Sequence, residues 1–254
     1  MNSGVTSFAS KGKISYMGTH QKFDRAAYRL ISPLVDHHKF PLRKNILRFE
    51  GYNGPDGLKF KGNYDSSHMW DPQKEIGYLP SWIDSHFSNL VKALKEGDIV
   101  RAAFDCGWMA HYLTDGLTPA HHIDNEEIEK KYAKKGKLGK QWMRWGSKGL
   151  MSTHVAFEMG IASTLFFSHM RLKFDKRLYD EIKEKGVVEV FKGESLKISQ
   201  YDLYIRYLKK GWTVDIAKTI KAVVAPRIPQ LVSAAWLVAY EQAGYQPKFE
   251  NLND

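Results

Sequence analysis

Hydrophobic positions recur at helical spacing along most of this chain, and helix signals dominate its pattern. Thr19 opens the first run as an N-cap. Phe23, Ala26, Ala27, Leu30 and Ile31 follow on one face until Pro33 kinks or ends the helix. Residues 36–74 hold Pro41, Gly51, Gly54, Pro55, Gly57, Gly62 and Pro72, which predicts a short helix near 42–49 and then a long loop at about 50–75. Over 81–96, Trp82, Ile83, Phe87, Leu90, Val91 and Leu94 keep helical register, and Gly97 closes the run. Asp98 then caps a helix that reaches about Gly116. Further helices are predicted over 148–170, 178–185, 200–209, 213–224 and 229–242, while 187–198 reads equally as a helix or a small hairpin. No internal repeat or clear linker interrupts the pattern, so the expectation is an all-α fold with residues 1–254 in a single multi-helix domain.

Two of these helices are apolar nearly all round and still carry ligand-type side chains. The 98–116 helix is buried by composition, with Ile99, Val100, Ala102, Ala103, Phe104, Cys106, Trp108, Met109, Ala110, Tyr112 and Leu113. Within it His111 and Asp115 stand four residues apart, one turn from each other on one face. Burying such groups costs about 2–7 kcal/mol for the polar group alone unless each finds a partner. A hydrogen bond between them satisfies both, and so does a cation that both grip. His154 and Glu158 repeat the spacing among Val155, Phe157, Met159, Ile161, Leu165 and Phe166. His121 lies just past the break at Pro119. The long loop adds Asp56 and His68, which give it a functional reason to exist, and His20 sits in the first helix. Imidazole with carboxylate, and no thiolate, is ligation suited to hydrolytic zinc. His37, His38, His86 and His169 stand outside this pattern and are read as surface or satisfied core residues, as is His122, for which an outer place beside His121 is the lesser alternative, and Cys106 is read as core.

The run from His111 to His121, with its His-x3-Asp-x5-His spacing and a proline two before the last histidine, resembles the signature of the zinc-dependent phospholipases C. That family includes the secreted bacterial phosphatidylcholine-cleaving enzymes and the clostridial alpha-toxin, and the single-strand-specific zinc nucleases are related to it. Ser67-His68-Met69-Trp70-Asp71-Pro72 is similar to the family's His-aromatic-Asp-Pro segment, and His154-x3-Glu158 to its closing pair. Gly18-Thr19-His20 resembles the setting of the first histidine, and Pro55-Asp56 the family's Pro-Asp aspartate. The resemblance implies two or three zinc ions: Asp56, His68, His111 and Asp115 around one, and His121, His154 and Glu158 around a second. His20 and a bridging Asp115 then contribute to a third. It further implies hydrolysis of a phospholipid or other phosphodiester by a metal-activated water, with Asp56 as general base or orienter of that water. In the secreted members an N-terminal tryptophan serves the third metal, and residues 1–19 contain none. The places of the family's choline-pocket aromatics hold Gly57 and Asp65.

Composition adds constraints rather than identity. Apolar residues are 43% and charged residues 26%, as in ordinary globular chains, and the single Cys106 excludes an intramolecular disulfide. Residues 1–18 lack the apolar run of a signal peptide, and 231–240 is about half of a bilayer span, so the expected location is cytoplasmic. A formal charge of +10 favours polyanions as a class. Lys130, Lys131, Lys134, Lys135, Lys137, Lys140 and Arg144 interleave with Tyr132, Trp142 and Trp145, a composition suited to an anionic membrane surface, to single-stranded nucleic acid, or to a solvated loop with its tryptophans turned inward. Three functions therefore compete: a phospholipase C, a nuclease or phosphomonoesterase on the same metals, and a catalytically idle membrane-binding protein stabilised by metal.

Overall fold

The computed structural model describes residues 18–50, 53–56, 68–122, 150–166 and 172–252, and they are helical apart from turns and one tiny hairpin. Helix α1 (Thr19–Ile31) buries Phe23, Ala27, Leu30 and Ile31 on the face that also carries His20 and Asp24. Its N-cap is Gly18 rather than Thr19: the Gly18 carbonyl accepts from Lys22 N–H, and Thr19 is already in the buried first turn. The short helix α2 (Arg43–Arg48) follows as the pattern predicts. Trp70–Asp71 (β1) pairs antiparallel with Ile76–Gly77 (β2), a hairpin that the reading of this stretch as loop did not foresee.

Helices α3 (Leu79–Glu96) and α4 (Ile99–Gly116) form an antiparallel pair at the centre. Pro80 occupies the first turn of α3, where its missing N–H costs nothing, so the helix starts two residues before the predicted Ser81. Gly97 ends it at φ 72°, a left-handed conformation that favours glycine, and its N–H caps the last turn. The Asp98 side chain accepts from Arg101 N–H to start α4 as predicted. A short 3-10 turn, Pro119–His121, leads away from it.

Helix α5 (Leu150–Phe166) precedes α6 (Lys176–Lys185) and α7 (Val187–Ser199). The ambiguous stretch 187–198 is helical: Gly186, at φ 86°, separates it from α6, and Val187, Val190, Phe191 and Ile198 bury one helical face. After α8 (Leu203–Lys210) comes α9 (Val214–Thr219), which continues through a wide π turn at Ile220–Val224 into α10 (Ala225–Gln242). The sequence predicts two helices here, with a break before Pro229. The helix instead runs on without one: Pro226 sits in the first turn of α10, directly after the π turn, and Pro229 lies inside α10. The whole run Val214–Gln242 is long and apolar enough to cross a membrane, yet most of its apolar window is buried against the rest of the fold. It is the core helix of the molecule, packed on α1, α3, α4 and α6, and Trp236 donates to the Cys106 carbonyl at 3.2 Å to fix it against α4.

Candidate metal centre

The ligand-type side chains enter one buried pocket from separate segments. His20 projects from the first turn of α1, and His111 and Asp115 from the last two turns of α4. His121 ends the 3-10 turn, and His154 and Glu158 lie one turn apart on α5. Asp56 stands in helical backbone with Pro55, and His68 lies two residues before Trp70 of β1. That strand is anchored on both sides: Trp70 Nε1 donates to Ser195 Oγ of α7 at 3.1 Å, while Asp71 Oδ1 accepts from the N–H groups of Gln73 and Lys74. All eight residues predicted from the sequence are thus brought together.

Asp115 lies at their centre. Its Oδ2 is 2.7 Å from His68 Nδ1 and 3.1 Å from His111 Nε2. Its Oδ1 is 3.3 Å from His20 Nε2 and 3.4 Å from His121 Nε2. Asp56 Oδ1 completes one side at 3.7 Å from His68 and 3.8 Å from His111. On the other side Glu158 Oε1 is 3.2 Å from His121 Nε2 and 3.0 Å from His154 Nε2. The His121 ring is oriented by its Nδ1–H, which donates to the His68 carbonyl at 2.8 Å, so that Nε2 faces the carboxylates. Of the carboxylates in contact here, Asp56 is the most open, 26% exposed against 1% for Asp115 and 5% for Glu158.

Two further carboxylates, neither singled out by spacing, border the pocket. Glu50, fully buried just beyond α2, brings Oε1 to 3.0 Å from both His20 Nδ1 and His111 Nδ1. Asp24 stands one turn beyond His20 on α1, also buried, and its oxygens accept no hydrogen bond among the described residues. The signal for Asp24 was available, since His20-x3-Asp24 repeats the spacing of the other two pairs. Glu50 had none: it lies 61 positions from His111 in a stretch of basic residues.

Electrostatics make this pocket a sink for positive charge. Burial raises the Asp115 carboxyl, but His121 and His111 outweigh it and hold the group well below the usual carboxylate range. Glu158 is likewise held well below its ordinary value, burial being overcome by the charge of His154 and the close approach of the His121 and His154 rings. Burial lowers His111, yet Asp115, Glu50 and Asp56 together raise it well above an ordinary imidazole. His121, with burial dominant, falls to about 4. Burial and the Glu50 charge push Asp24 well above the ordinary carboxylate range.

The donor set fits zinc. Three groups of imidazole and carboxylate atoms each lie within 4.8 Å of one another: His20, Glu50 and His111; Asp56, His68 and His111; His121, His154 and Glu158. His68 Nδ1 and His111 Nε2 face each other at 3.2 Å, an approach of two ring nitrogens that a shared cation explains. Asp115 Oδ1 and both nitrogens of His20 are buried with close neighbours, but none of these contacts is aligned as a hydrogen bond. Uncompensated, so many buried carboxylates cost several kcal/mol each. Divalent cations between them remove that cost.

The remaining histidines stand apart. His86 Nδ1 pairs with Asp105 Oδ1 at 2.7 Å, and Arg101 grips the same carboxylate. His37 Nδ1 meets the Tyr28 hydroxyl at 3.3 Å, and His122 Nε2–H donates to the Gly116 carbonyl, turned away from the centre. His169, the basic–aromatic segment 130–145, and Gly57 and Asp65 lie outside the described residues.

A family model described as zinc dependent phospholipase C matches residues 19–214, which contain every residue of the pocket. A search of curated proteins returned no match.

Proposed function

The chain belongs to the zinc-dependent phospholipase C family, and from that premise we propose that it hydrolyses the phosphoester bond between a phospholipid headgroup and its glycerol. In this reading Asp56, His68, His111 and Asp115 hold one ion, His121, His154 and Glu158 a second, and His20 with Asp115 a third. Zinc, when bound, supplies a Lewis acid for the phosphate oxygens and lowers the pKa of the water it carries towards about 7. The protein's own part is to fix those donors and to manage the proton. Asp56, whose side chain is a quarter exposed and whose Oδ1 is close to His68 and His111, accepts or orients the proton of the attacking water. Water oxygen bonds to phosphorus as the ester bond to the glycerol oxygen breaks, and the alcohol leaves with a proton. Burial of the donors keeps bulk water from competing for the same positions.

The observation that carries this reading is Asp115, whose two oxygens stand within 3.4 Å of four imidazoles from four chain segments. The charge of +10 and the basic–aromatic segment 130–145 suit peripheral contact with an anionic lipid surface, and a cytoplasmic location remains part of the proposal. The test is the zinc-loaded protein on phosphatidylcholine, phosphatidylglycerol, single-stranded DNA and a nucleotide monoester. Release of a phosphorylated headgroup from one of the lipids is expected. Cleavage of DNA or the monoester alone makes the protein a nuclease or phosphomonoesterase, and co-sedimentation with liposomes without turnover makes it an idle binder.

A further inference from the structure

His111 belongs to two of the three donor groups, and a neutral imidazole has only one lone pair to give. Its Nε2 faces Asp115, His68 and Asp56, and its Nδ1 faces Glu50. On the zinc reading the two carboxylates and the second imidazole of the first side share a cation with Nε2, so the lone pair belongs there and the proton sits on Nδ1. That proton is donated to Glu50 Oε1 at 3.0 Å, in a contact aligned as a hydrogen bond. His20 stands in a similar place, although its contacts with Glu50 and Asp115 are close approaches and not aligned hydrogen bonds. Its ring stacks on His111 at 4.4 Å and 23°, its Nδ1 is 3.0 Å from the same Glu50 oxygen, and its Nε2 points at Asp115. Two parallel imidazoles therefore span the gap between two carboxylates, one at each end.

From this geometry, and on the zinc reading above, we infer that Glu50 is a positioning residue rather than a ligand: a single buried carboxylate oxygen that fixes His20 and His111 as their Nδ1–H tautomers and turns both Nε2 atoms towards the metals. The His20, Glu50 and His111 group is then a carboxylate support behind the centre and not a ligand set of its own. Glu50 is fully buried, so no solvent molecule replaces it. Its position is set by the backbone, because the chain from Ile46 to Phe49 packs directly on Gly107 of α4, one turn before His111. A carboxylate behind a metal-bound histidine orients the ring and raises its basicity.

Two measurements test this. Long-range proton–nitrogen correlation spectra of the zinc-loaded wild-type protein will report Nδ1 protonated and Nε2 metal-bound for both His20 and His111. Glu50→Gln, of the same shape but uncharged, will keep the zinc stoichiometry while its zinc affinity falls about 10–100-fold. A metal-bound Nδ1 in either ring overturns the inference, as does loss of one whole ion in Glu50→Gln with the others retained, which makes Glu50 a ligand. Unchanged affinity in that variant overturns it as well. A wild-type protein that takes up no zinc refutes the metal reading itself, and is distinguishable because it fails before any variant is made.

Discussion

Asp56 and Asp115 are both aspartates of one pocket, and burial assigns them different work. Asp115 is sealed among four imidazoles and held ionised by them, a fixed anion with no room to exchange protons with water. Asp56 is a quarter exposed, so water can reach it, and although burial raises its carboxyl, His111 and His68 bring it below its ordinary value. Replacing Asp56 with Asn is expected to leave zinc bound and to lower turnover by about 100-fold or more, read by zinc content and steady-state kinetics on the same sample. Turnover at the wild-type level removes Asp56 from the mechanism. The residues most legible in the sequence were those whose placement is local. His111-x3-Asp115 and His154-x3-Glu158 sit one turn apart on apolar helices, where a polar pair needs a reason. Glu50 owes its role to contacts across 30 and 61 positions, which no local spacing records.

At the scale of elements, α4 organises the centre, and Gly107 decides how closely α2 approaches it. A Cβ at Gly107 would lie 3.1 Å from the Ile46 carbonyl oxygen and 3.3 Å from Phe49. Gly107→Ala is therefore expected to push the 46–50 segment outward by a few tenths of an ångström and to weaken zinc binding, measured by competition with a chromogenic chelator, while far-UV circular dichroism stays unchanged. Affinity equal to the wild type would mean that this segment does not position the centre. The elements themselves were legible wherever period and caps agreed, as at Asp98, Gly97 and the α1 face. They were less so at prolines: Pro80 opens a helix, Pro226 follows directly on a π turn, and Pro229 rides within the same continuous run. The hairpin at Trp70–Asp71 and Ile76–Gly77 is too short to leave an alternating pattern, and its hold on the fold comes from the Trp70–Ser195 hydrogen bond 125 positions apart.

For the molecule as a whole, the pocket inserts a cluster of charge into a helical core that is otherwise apolar. Metal and fold should then be thermodynamically coupled, since ions bound only by the folded state stabilise it by mass action. An ion present at about a thousand times its Kd contributes about 4 kcal/mol, which for a chain of this size is on the order of 10 °C in melting temperature. Removing zinc with a chelator is expected to lower the Tm by that order, and adding zinc back to restore it, in differential scanning calorimetry. A Tm indifferent to chelation would mean that the carboxylates are balanced within the protein.

The central claim is that imidazoles and carboxylates spread over about 140 positions close around clustered cations, and metal analysis of the purified protein beside its His111→Ala variant addresses it most directly. The account predicts two or three zinc ions per chain in the wild type and a loss of at least one in the variant, whose Asp115, His68 and Asp56 lose their shared partner. A wild-type protein with less than one zinc per chain, or a variant that keeps every ion, would contradict it.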